Sequence, residues 1–368
     1  MTMKRILTAS TTALLVLAAA SVQAAPVNYE YYHLYDSPRV SAMGGTGVAV
    51  GEESDALWTN PANLAEQPMQ LELINPLVEV NDNLKLFAND LNNAANNPDP
   101  NLRTTETTKV VIAHQGELLH LRAAVTPTVA WDNFAVAAIG KAQVDAMVHN
   151  PFSSAGAVEI NSSLDAGAIV GASFELTDGL RLGVAGKFLQ RQWLHEAVTM
   201  AQLSDPNYDW SPGTTSETVT DSAFDVGLAY KLPFLTALNP KVAVSAMNIT
   251  NLFDDQTRKI PMTVNAGVSI HPESWAADLV LAADYEDITN GYGDTSIAKR
   301  LHLGAELGLM GRHLLLRGGL NGGYPTAGAE VRFWIMTVAA TYYQTELGGY
   351  AGQQVDTRYM VQATLGWK

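Results

Sequence analysis

The sequence predicts an all-β protein: a transmembrane β-barrel of the outer membrane, with about fourteen antiparallel strands and an N-terminal plug in its lumen. Three observations predict it. Segments that alternate apolar and polar residues recur along the chain, short and long connections between them take turns, and the region before the first strand is rich in glycine and tyrosine. Successive side chains of a strand point to opposite faces, so a membrane barrel can turn the apolar face to lipid and the polar face to its lumen.

The last predicted strand shows the alternation most clearly. Its apolar positions are Tyr359, Val361, Ala363, Leu365 and Trp367, and the positions between them are Arg358, Met360, Gln362, Thr364 and Gly366. Other alternating segments place charged residues such as Arg122, Lys187 and Glu306 on the face opposite the apolar residues. An unpaired charge buried inside a soluble sheet is unfavourable, whereas a polar lumen accommodates it. The pattern therefore favours a barrel over a soluble sandwich.

Fourteen segments carry this pattern. They are residues 69–80, 109–131, 134–149, 158–176, 180–194, 218–232, 241–250, 260–271, 277–286, 299–309, 313–321, 326–332, 335–345 and 357–367. Tight joints alternate with mostly longer, polar ones, as in barrels with short periplasmic turns and long outer loops. An even strand count places both barrel ends on the periplasmic side. In the long joint 81–108, apolar residues at helical spacing predict a short amphipathic helix that either caps its own loop or gathers ligand.

The N-terminus has the pattern of a signal peptide. Lys4 and Arg5 precede an apolar stretch, 6–20, and Val22-Gln23-Ala24 follows with small residues at the cleavage positions. The alternative, a membrane anchor, requires a longer and more apolar run. We therefore expect residues 1–24 to be removed and the mature protein to lie in the Gram-negative outer membrane, with outer-membrane lipid and the barrel-assembly machinery as partners.

The next region, 25–68, does not alternate like a strand. Tyrosines crowd its start, and the small-residue run 41–47 follows. Because small residues let a chain pack closely against its neighbours, we predict a plug inside the lumen. An exposed tail in the periplasm is the alternative. The domain organisation is then signal peptide 1–24, plug 25–68 and barrel 69–368.

Composition and motifs argue against an enzyme. The net charge of −15 disfavours nucleic acid as a ligand, and the absence of cysteine excludes disulfides and thiol chemistry. The glycine run lacks the residues of a phosphate-binding loop, and His195-Glu196 lacks a second histidine at zinc-binding spacing. There is also no Gly-x-Ser-x-Gly motif. The sequence indicates no catalytic residue, no cofactor and no metal site.

Two stretches, 41–50 and 55–65, resemble the plug signature of the outer-membrane long-chain fatty-acid transporter (FadL-like) superfamily. The residues that carry this resemblance are Gly44, Gly45, Gly47, Asn60, Pro61, Ala62 and Asn63. More narrowly, the run 316–328, with 342–348 and 352–354, resembles the conjugal-transfer TraF-like branch. The superfamily resemblance implies a fourteen-stranded barrel with an N-terminal hatch that passes hydrophobic molecules, often sideways where one strand is kinked.

The resemblance implies a passive channel for uptake or export of hydrophobic or amphipathic compounds. The alternative is a TraF-like scaffold that works with the proteins of a conjugation or secretion apparatus. Proline cannot donate to a strand ladder, so Pro76 and Pro127, in the first two strands, are candidates for a lateral gate. A harmless bulge is the simpler interpretation of both.

Six charged residues are expected to face the lumen. They are Arg122, Arg181, Lys187, Arg300, Glu306 and Arg317. The cations are expected either to hold a carboxylate head group or to pair with plug carboxylates such as Asp36, Glu52, Glu53 and Asp55. We favour the second role.

Overall fold

The computed structural model describes residues 30–51, 53–66, 69–152, 156–205, 217–254, 256–272, 278–293 and 296–367. The predicted signal peptide, 1–24, lies outside the described residues, as do positions 25–29 of the predicted plug, Glu52 and Lys368.

Within these ranges, sixteen strands form one closed antiparallel sheet. They are β1 (Gln70–Ile74), β2 (Leu77–Asn81), β3 (Leu118–Val125), β4 (Thr128–Trp131), β5 (Phe134–Val148), β6 (Val158–Thr177), β7 (Leu180–Val198), β8 (Glu217–Lys231), β9 (Lys241–Met247), β10 (Thr263–Ile270), β11 (Asp278–Tyr285), β12 (Leu301–Leu309), β13 (Leu314–Asn321), β14 (Tyr324–Phe333), β15 (Met336–Glu346) and β16 (Val355–Trp367). They fill fourteen positions of the wall, because β1 and β2 share the first position and β3 and β4 the second. Strand β16 closes the barrel by pairing with both β1 and β2. The prediction of a fourteen-stranded antiparallel barrel is confirmed.

Five α-helices accompany the wall in the part of the chain that the structure describes. They are α1 (Pro38–Ala42), α2 (Ala56–Thr59), α3 (Asp82–Ala95), α4 (Pro100–Ala113) and α5 (Met200–Leu203), and 3-10 turns cover Glu53–Asp55, Pro61–Glu66, Thr236–Leu238 and Ile297–Arg300. Across the described ranges, no helix has both the length and the apolar character needed to cross a membrane.

The outer surface of the wall is apolar. In β16 the exposed positions are the predicted ones, from Tyr359 to Trp367, and those between them are buried or half-buried. Large apolar residues are exposed near the short turns, where outer-membrane barrels carry an aromatic girdle. They are Trp131, Phe134, Phe174, Phe234, Phe333, Trp334 and Trp367.

The second predicted strand, 109–131, is wrong in its first part. Residues 109–113 belong to α4, and the strand begins at Leu118. The β-branched run Val110-Val111-Ile112 favours a strand locally. A stronger signal precedes it, because the Asp99 side chain accepts a hydrogen bond from Asn101 N at 3.0 Å and Pro100 occupies the first helical position. Helix α4 then buries Val111 in an apolar cluster with Phe87 of α3 and Leu119 of β3.

Candidate functional site: the lumen and an interrupted seam

Both candidate gate residues lie at interruptions of the wall. Pro76 separates β1 from β2, and Pro127 separates β3 from β4. The two interruptions are side by side: β2 pairs with β3 up to Leu77 and Ala124, and β1 pairs with β4 from Glu72 and Thr128 onward. We call the stretch between them, residues 73–76 and 125–127, the seam.

The proline carbonyls remain tied to the outer neighbours of the seam. Pro76 O accepts from Ala363 N at 3.1 Å, and Pro127 O accepts from Ala138 N at 3.0 Å. The missing strand pairing is therefore confined to the line between the first and second wall positions.

Side chains replace the missing ladder. Thr126 N donates to Asn75 Oδ1 at 2.6 Å, and Asn75 Nδ2 donates to Thr126 O at 2.8 Å and to Glu72 Oε2 at 2.8 Å. Gln362 Nε2 donates to Asn75 O at 3.1 Å and to the Tyr35 hydroxyl at 3.0 Å. The seam is thus closed by hydrogen bonds of side chains. These side chains can rotate away without breaking backbone hydrogen bonds between strands.

The seam has an apolar outer side and a polar inner side. A bulge turns two successive residues, Leu73 and Ile74, outward, where they are 56% and 57% exposed. Asn75, Glu72 and Thr126 are buried on the inner side. The wall therefore changes from lipid-facing to lumen-facing character within one short, unpaired stretch.

The N-terminal segment (residues 30–66) packs against the inner face of the wall. Six wall glycines, which we call the glycine belt, make room for it. A Cβ atom at any of them would lie between 1.8 and 2.6 Å from an atom of the segment: Gly171, Gly183, Gly227, Gly304, Gly319 and Gly328. The belt runs through β6, β7 and β8 and through β12, β13 and β14, so the segment is tightly fitted on the side of the barrel away from the seam.

The glycine motif of the segment, residues 44–47, binds the wall through hydrogen bonds. Gly47 N and Val48 N donate to Asp284 Oδ2 at 2.7 and 2.8 Å, and His302 Nδ1 lies 2.8 Å from Gly44 O. Gly44 and Gly45 have φ angles of 69° and 90°, and a Cβ at Gly45 would lie 2.6 Å from the His302 ring. Only glycine satisfies both requirements without strain.

The second motif, Asn60-Pro61-Ala62-Asn63, organises the segment from within. Asn60 Nδ2 and Asn63 Nδ2 donate to Val48 O at 2.9 and 3.1 Å, and Ala62 N donates to Asn60 Oδ1 at 3.0 Å. Residues 60–62 lie directly against Gly183 and Gly227 of the wall. The two motifs therefore meet at Val48, which ties the small-residue run to the 3-10 turn.

A buried carboxylate of the wall holds a cation of the segment. Glu306 accepts from Arg39 Nε at 2.9 Å, from Arg317 Nε at 2.7 Å and from Arg312 Nη2 at 3.0 Å. Arg317 also donates to Glu330 at 2.8 Å. The sequence led us to expect wall cations paired with segment carboxylates, and this cluster has the opposite polarity.

Two of the other predicted lumen cations, Arg122 and Lys187, pair with carboxylates of the wall, and Arg300 binds the N-terminal segment and a loop. Arg122 Nη2 lies 2.5 Å from Glu79 Oε2, and Lys187 Nζ lies 2.9 Å from Asp225 Oδ2. Arg300 donates to the Tyr31 hydroxyl at 3.3 Å and to Asp287 O at 3.2 Å. Arg181 faces inward and is half-buried, opposite Glu175 in the register of β6 and β7.

The predicted segment carboxylates have other roles. Asp36 Oδ1 lies 3.0 Å from His33 Nδ1, and His33 Nε2 lies 2.6 Å from Glu286 Oε1. Burial opposes the charged form of His33, but Asp36 and Glu286 outweigh it and raise its pKa well above the usual value. Asp55 lies 3.9 Å from Arg39, and the side chain of Glu53, like Glu52, lies outside the described part.

The outer loop between β9 and β10 folds into the lumen. The sequence did not predict this. Its bridge residues Leu252 and Ile260 are fully buried. Arg191 of β7 binds Asp165 at 2.6 and 2.7 Å and donates to the loop carbonyl of Thr257 at 2.9 Å. The alternation of β7 already turned Arg191 inward, but nothing in the sequence indicated that a distant loop would reach it.

A cavity of about 160 Å³ remains between the segment and the wall. Aromatic residues line much of it, and Tyr31 stacks on Tyr292 with ring centroids 4.3 Å apart. Glu79, Arg122, Arg358 and other charged groups line the rest. Within the described ranges, no three His, Asp or Glu side chains are placed to hold a metal ion.

Comparisons with known proteins show similarity of fold without similarity of sequence. No family model matches the chain, and no curated protein matches it. The monoaromatic hydrocarbon channel CymD has a TM-score of 0.50 and 12% identity, over 92% of this chain and 99% of that one. The toluene transporter TbuX of Ralstonia pickettii has a TM-score of 0.49 and 12% identity, over 90% and 97%. A FadL homologue of Pseudomonas aeruginosa has a TM-score of 0.48 and 10% identity, over 92% and 99%.

The narrower TraF-like resemblance has no counterpart among these three structures and stays a prediction. The broader resemblance is confirmed at the level of fold. The chain has the barrel fold of the FadL-type outer-membrane transporters.

Proposed function

We propose that the protein is a passive, non-enzymatic channel of the Gram-negative outer membrane, which passes hydrophobic or amphipathic small molecules between its lumen and the surrounding lipid. The observation that carries this proposal is the seam. Pro76 and Pro127 interrupt neighbouring wall positions at the same height, and the resulting gap is filled by the side chains of Asn75 and Thr126. A hydrophobic molecule that leaves sideways there enters lipid without crossing water.

We further propose that residues 25–68 act as a plug that stays in place during transport. The glycine belt supports this, because it fits the segment to β6–β8 and β12–β14 with no room for a single added methyl group. Beside the seam the segment is held by side-chain hydrogen bonds: Gln362 Nε2 of β16 donates to the Tyr35 hydroxyl at 3.0 Å, and the Ser54 hydroxyl donates to Glu72 Oε1 at 2.9 Å. The route then runs between Tyr35 and the seam rather than through the belt.

The absence of cysteine in the chain allows a direct test. The double variant Asn75→Cys/Thr126→Cys places two thiols across the seam, where the native side chains are in hydrogen-bond contact. Oxidation locks the seam, and a reductant releases it. We expect uptake of radiolabelled toluene and oleate by cells that produce the oxidised variant to fall to the level of cells without the protein. Dithiothreitol should restore it.

The matched control is Ala329→Cys/Ala340→Cys, which joins β14 to β15 at a pair of exposed, outward-facing alanines in an uninterrupted part of the wall. Uptake through this variant should not respond to oxidation. If the oxidised seam variant transports as fast as the reduced one, the lateral route is wrong. If cells with and without the protein take up both probes equally, the channel function is wrong.

A further inference from the structure

We propose that the lumen cavity binds a neutral, one-ring aromatic compound that carries a hydroxyl group: a phenol or an aromatic alcohol. This inference rests on the proposed channel function and names the class of molecule that the channel selects. Three features of the cavity lead to it, namely its size and lining, its unpaired hydrogen-bonding atoms and its balance of charge.

Size and lining favour one aromatic ring. The cavity of about 160 Å³ is close to the roughly 150 Å³ that is enough to hold benzene in a protein interior. Six aromatic side chains line it: Tyr31, Tyr32, Tyr35, Trp58, Tyr292 and Tyr343. Offset-stacked and edge-on contacts with such rings favour another ring over an alkyl chain.

Two buried guanidinium groups offer donors to a ligand oxygen. Arg122 and Arg358 line the cavity and are 4% and 3% exposed. They flank the same carboxylate, because Arg122 Nη2 lies 2.5 Å and Arg358 Nη1 3.8 Å from oxygens of Glu79. One nitrogen of each, Arg122 Nε and Arg358 Nη2, has no hydrogen-bond partner among the described residues. A buried donor without an acceptor is unfavourable, so an acceptor atom on the ligand is favoured there.

The charge balance favours a neutral ligand. Six carboxylates line the cavity against four Lys and Arg side chains and three histidines, so the charges nearly balance and neither an anion nor a cation gains a large net attraction. The lining also contains an acceptor without a hydrogen-bond partner in the described structure, Oδ1 of Asp284, a residue that is 4% exposed. A hydroxyl group both accepts and donates, so in either orientation it can pair with one of these unpaired atoms. A hydrocarbon satisfies neither kind, and a carboxylate satisfies the donors alone.

The test measures binding to the purified full-length protein in detergent by equilibrium dialysis, with protein-free micelles as the blank. The probes are radiolabelled benzyl alcohol, toluene and benzoate at neutral pH. We expect benzyl alcohol to bind at least tenfold more tightly than either of the others. In Arg122→Lys, which keeps a cation beside Glu79 and removes the Nε donor, benzyl alcohol should bind about fivefold more weakly and toluene should bind as before.

Arg332→Lys is the matched control, because Arg332 pairs with Glu330 on β14 and does not line the cavity. Its affinities should equal those of the unmodified protein. Heat-modifiable migration in gels establishes that each variant has a folded barrel. Equal binding of toluene and benzyl alcohol, tightest binding of benzoate, or an unchanged affinity in folded Arg122→Lys would each overturn the proposed ligand class.

The binding test is separate from the uptake test because it does not involve the seam. If benzyl alcohol binds selectively but the oxidised seam variant takes up the probes as fast as the reduced one, the lateral channel is wrong and the binding site stands. Uptake controlled by the seam, without selectivity among the three probes, would overturn the ligand class and leave the channel intact.

Discussion

Asn75 and Thr126 exchange hydrogen bonds across the point where both of their strands are interrupted. Thr126 N donates to Asn75 Oδ1 at 2.6 Å, and Asn75 Nδ2 returns a bond to Thr126 O at 2.8 Å. One asparagine side chain thus supplies both the acceptor and the donor that a strand neighbour would have supplied. The wall is continuous in hydrogen bonding here without being continuous in backbone pairing.

Replacing Asn75 by Ala should loosen the seam. The substitution leaves the buried backbone N–H and C=O of Thr126 without these partners, at a cost of about 1–3 kcal/mol. We expect a lower midpoint of unfolding in guanidinium and faster uptake of labelled toluene. Asn101→Ala, on the exposed first turn of α4, is the control and should change neither. Slower uptake by folded Asn75→Ala would contradict the role of the seam.

Adding a methyl group at Gly183 should displace the N-terminal segment. The new Cβ would lie 2.1 Å from Ala62 N and from the carbonyl carbon of Pro61. Limited proteolysis should then cut the segment faster than in the unmodified protein. Gly186→Ala, three residues along the same strand, is the control, because its Cβ would meet nothing closer than 3.9 Å. Equal cleavage in the two variants would mean that the belt does not hold the segment.

Neutralising Glu306 should destabilise the barrel. Its side chain is fully buried and accepts from Arg39, Arg317 and Arg312. In Glu306→Gln these cations lose their shared counter-charge, and removing one partner of a buried ion pair typically costs about 3–5 kcal/mol. Unfolding in guanidinium measures the loss. Glu106→Gln, which breaks an exposed pair with Lys109 on α4, should cost under about 1 kcal/mol.

The outer helices α3 and α4 should become less stable at alkaline pH. The buried His114 ring lies 2.7 Å from Glu117 Oε2 and 3.0 Å from Asp90 Oδ2 of α3. Burial opposes its charged form, but the hydrogen bonds and charges of Glu117 and Asp90 outweigh this and raise the pKa of His114. A raised folded pKa contributes stability that is complete below the unfolded value, about 6.5, and is lost as the pH rises through the folded value.

Hydrogen exchange measures this effect. After correction for the intrinsic rate, protection of the α3 and α4 amides should decrease between pH 6 and pH 9. In His114→Gln the decrease should be absent, because the group that titrates is missing. A pH dependence of equal size in both proteins would assign the effect to another residue.

The barrel could be predicted from sequence because its determinants are local. Each strand carries its own alternation, as in Tyr359 to Trp367, and the loop lengths give the strand count without any contact information. The error at 109–113 has the same origin. The run Val110-Val111-Ile112 favours a strand locally, but the helix start at Asp99 and Pro100, which the sequence also contains, determines the structure.

The site was predictable only in part, because pairing across the lumen depends on three-dimensional position. Alternation turned Glu306 and Arg317 inward, but it contains no information about Arg39, which lies 267 residues before Glu306. Pro76 and Pro127 could be predicted as the sites of interruption because proline has no N–H to donate. The bridging role of Asn75 could not be predicted, because it depends on how β1 to β4 pair. The inward fold of the β9–β10 loop also depends on contacts between residues far apart in the chain.

Strand length gives the wall uneven stiffness around its circumference. Strands β6 and β7 remain paired from Val158 and Val198 to Thr177 and Leu180, whereas β1, β2 and β4 have only four or five residues each. The lateral pressure of a bilayer acts on the barrel from all sides, so its deformation should concentrate where the ladder is shortest. We therefore expect the permeability of the protein to rise with membrane tension, and osmotic swelling of vesicles that contain it provides the measurement.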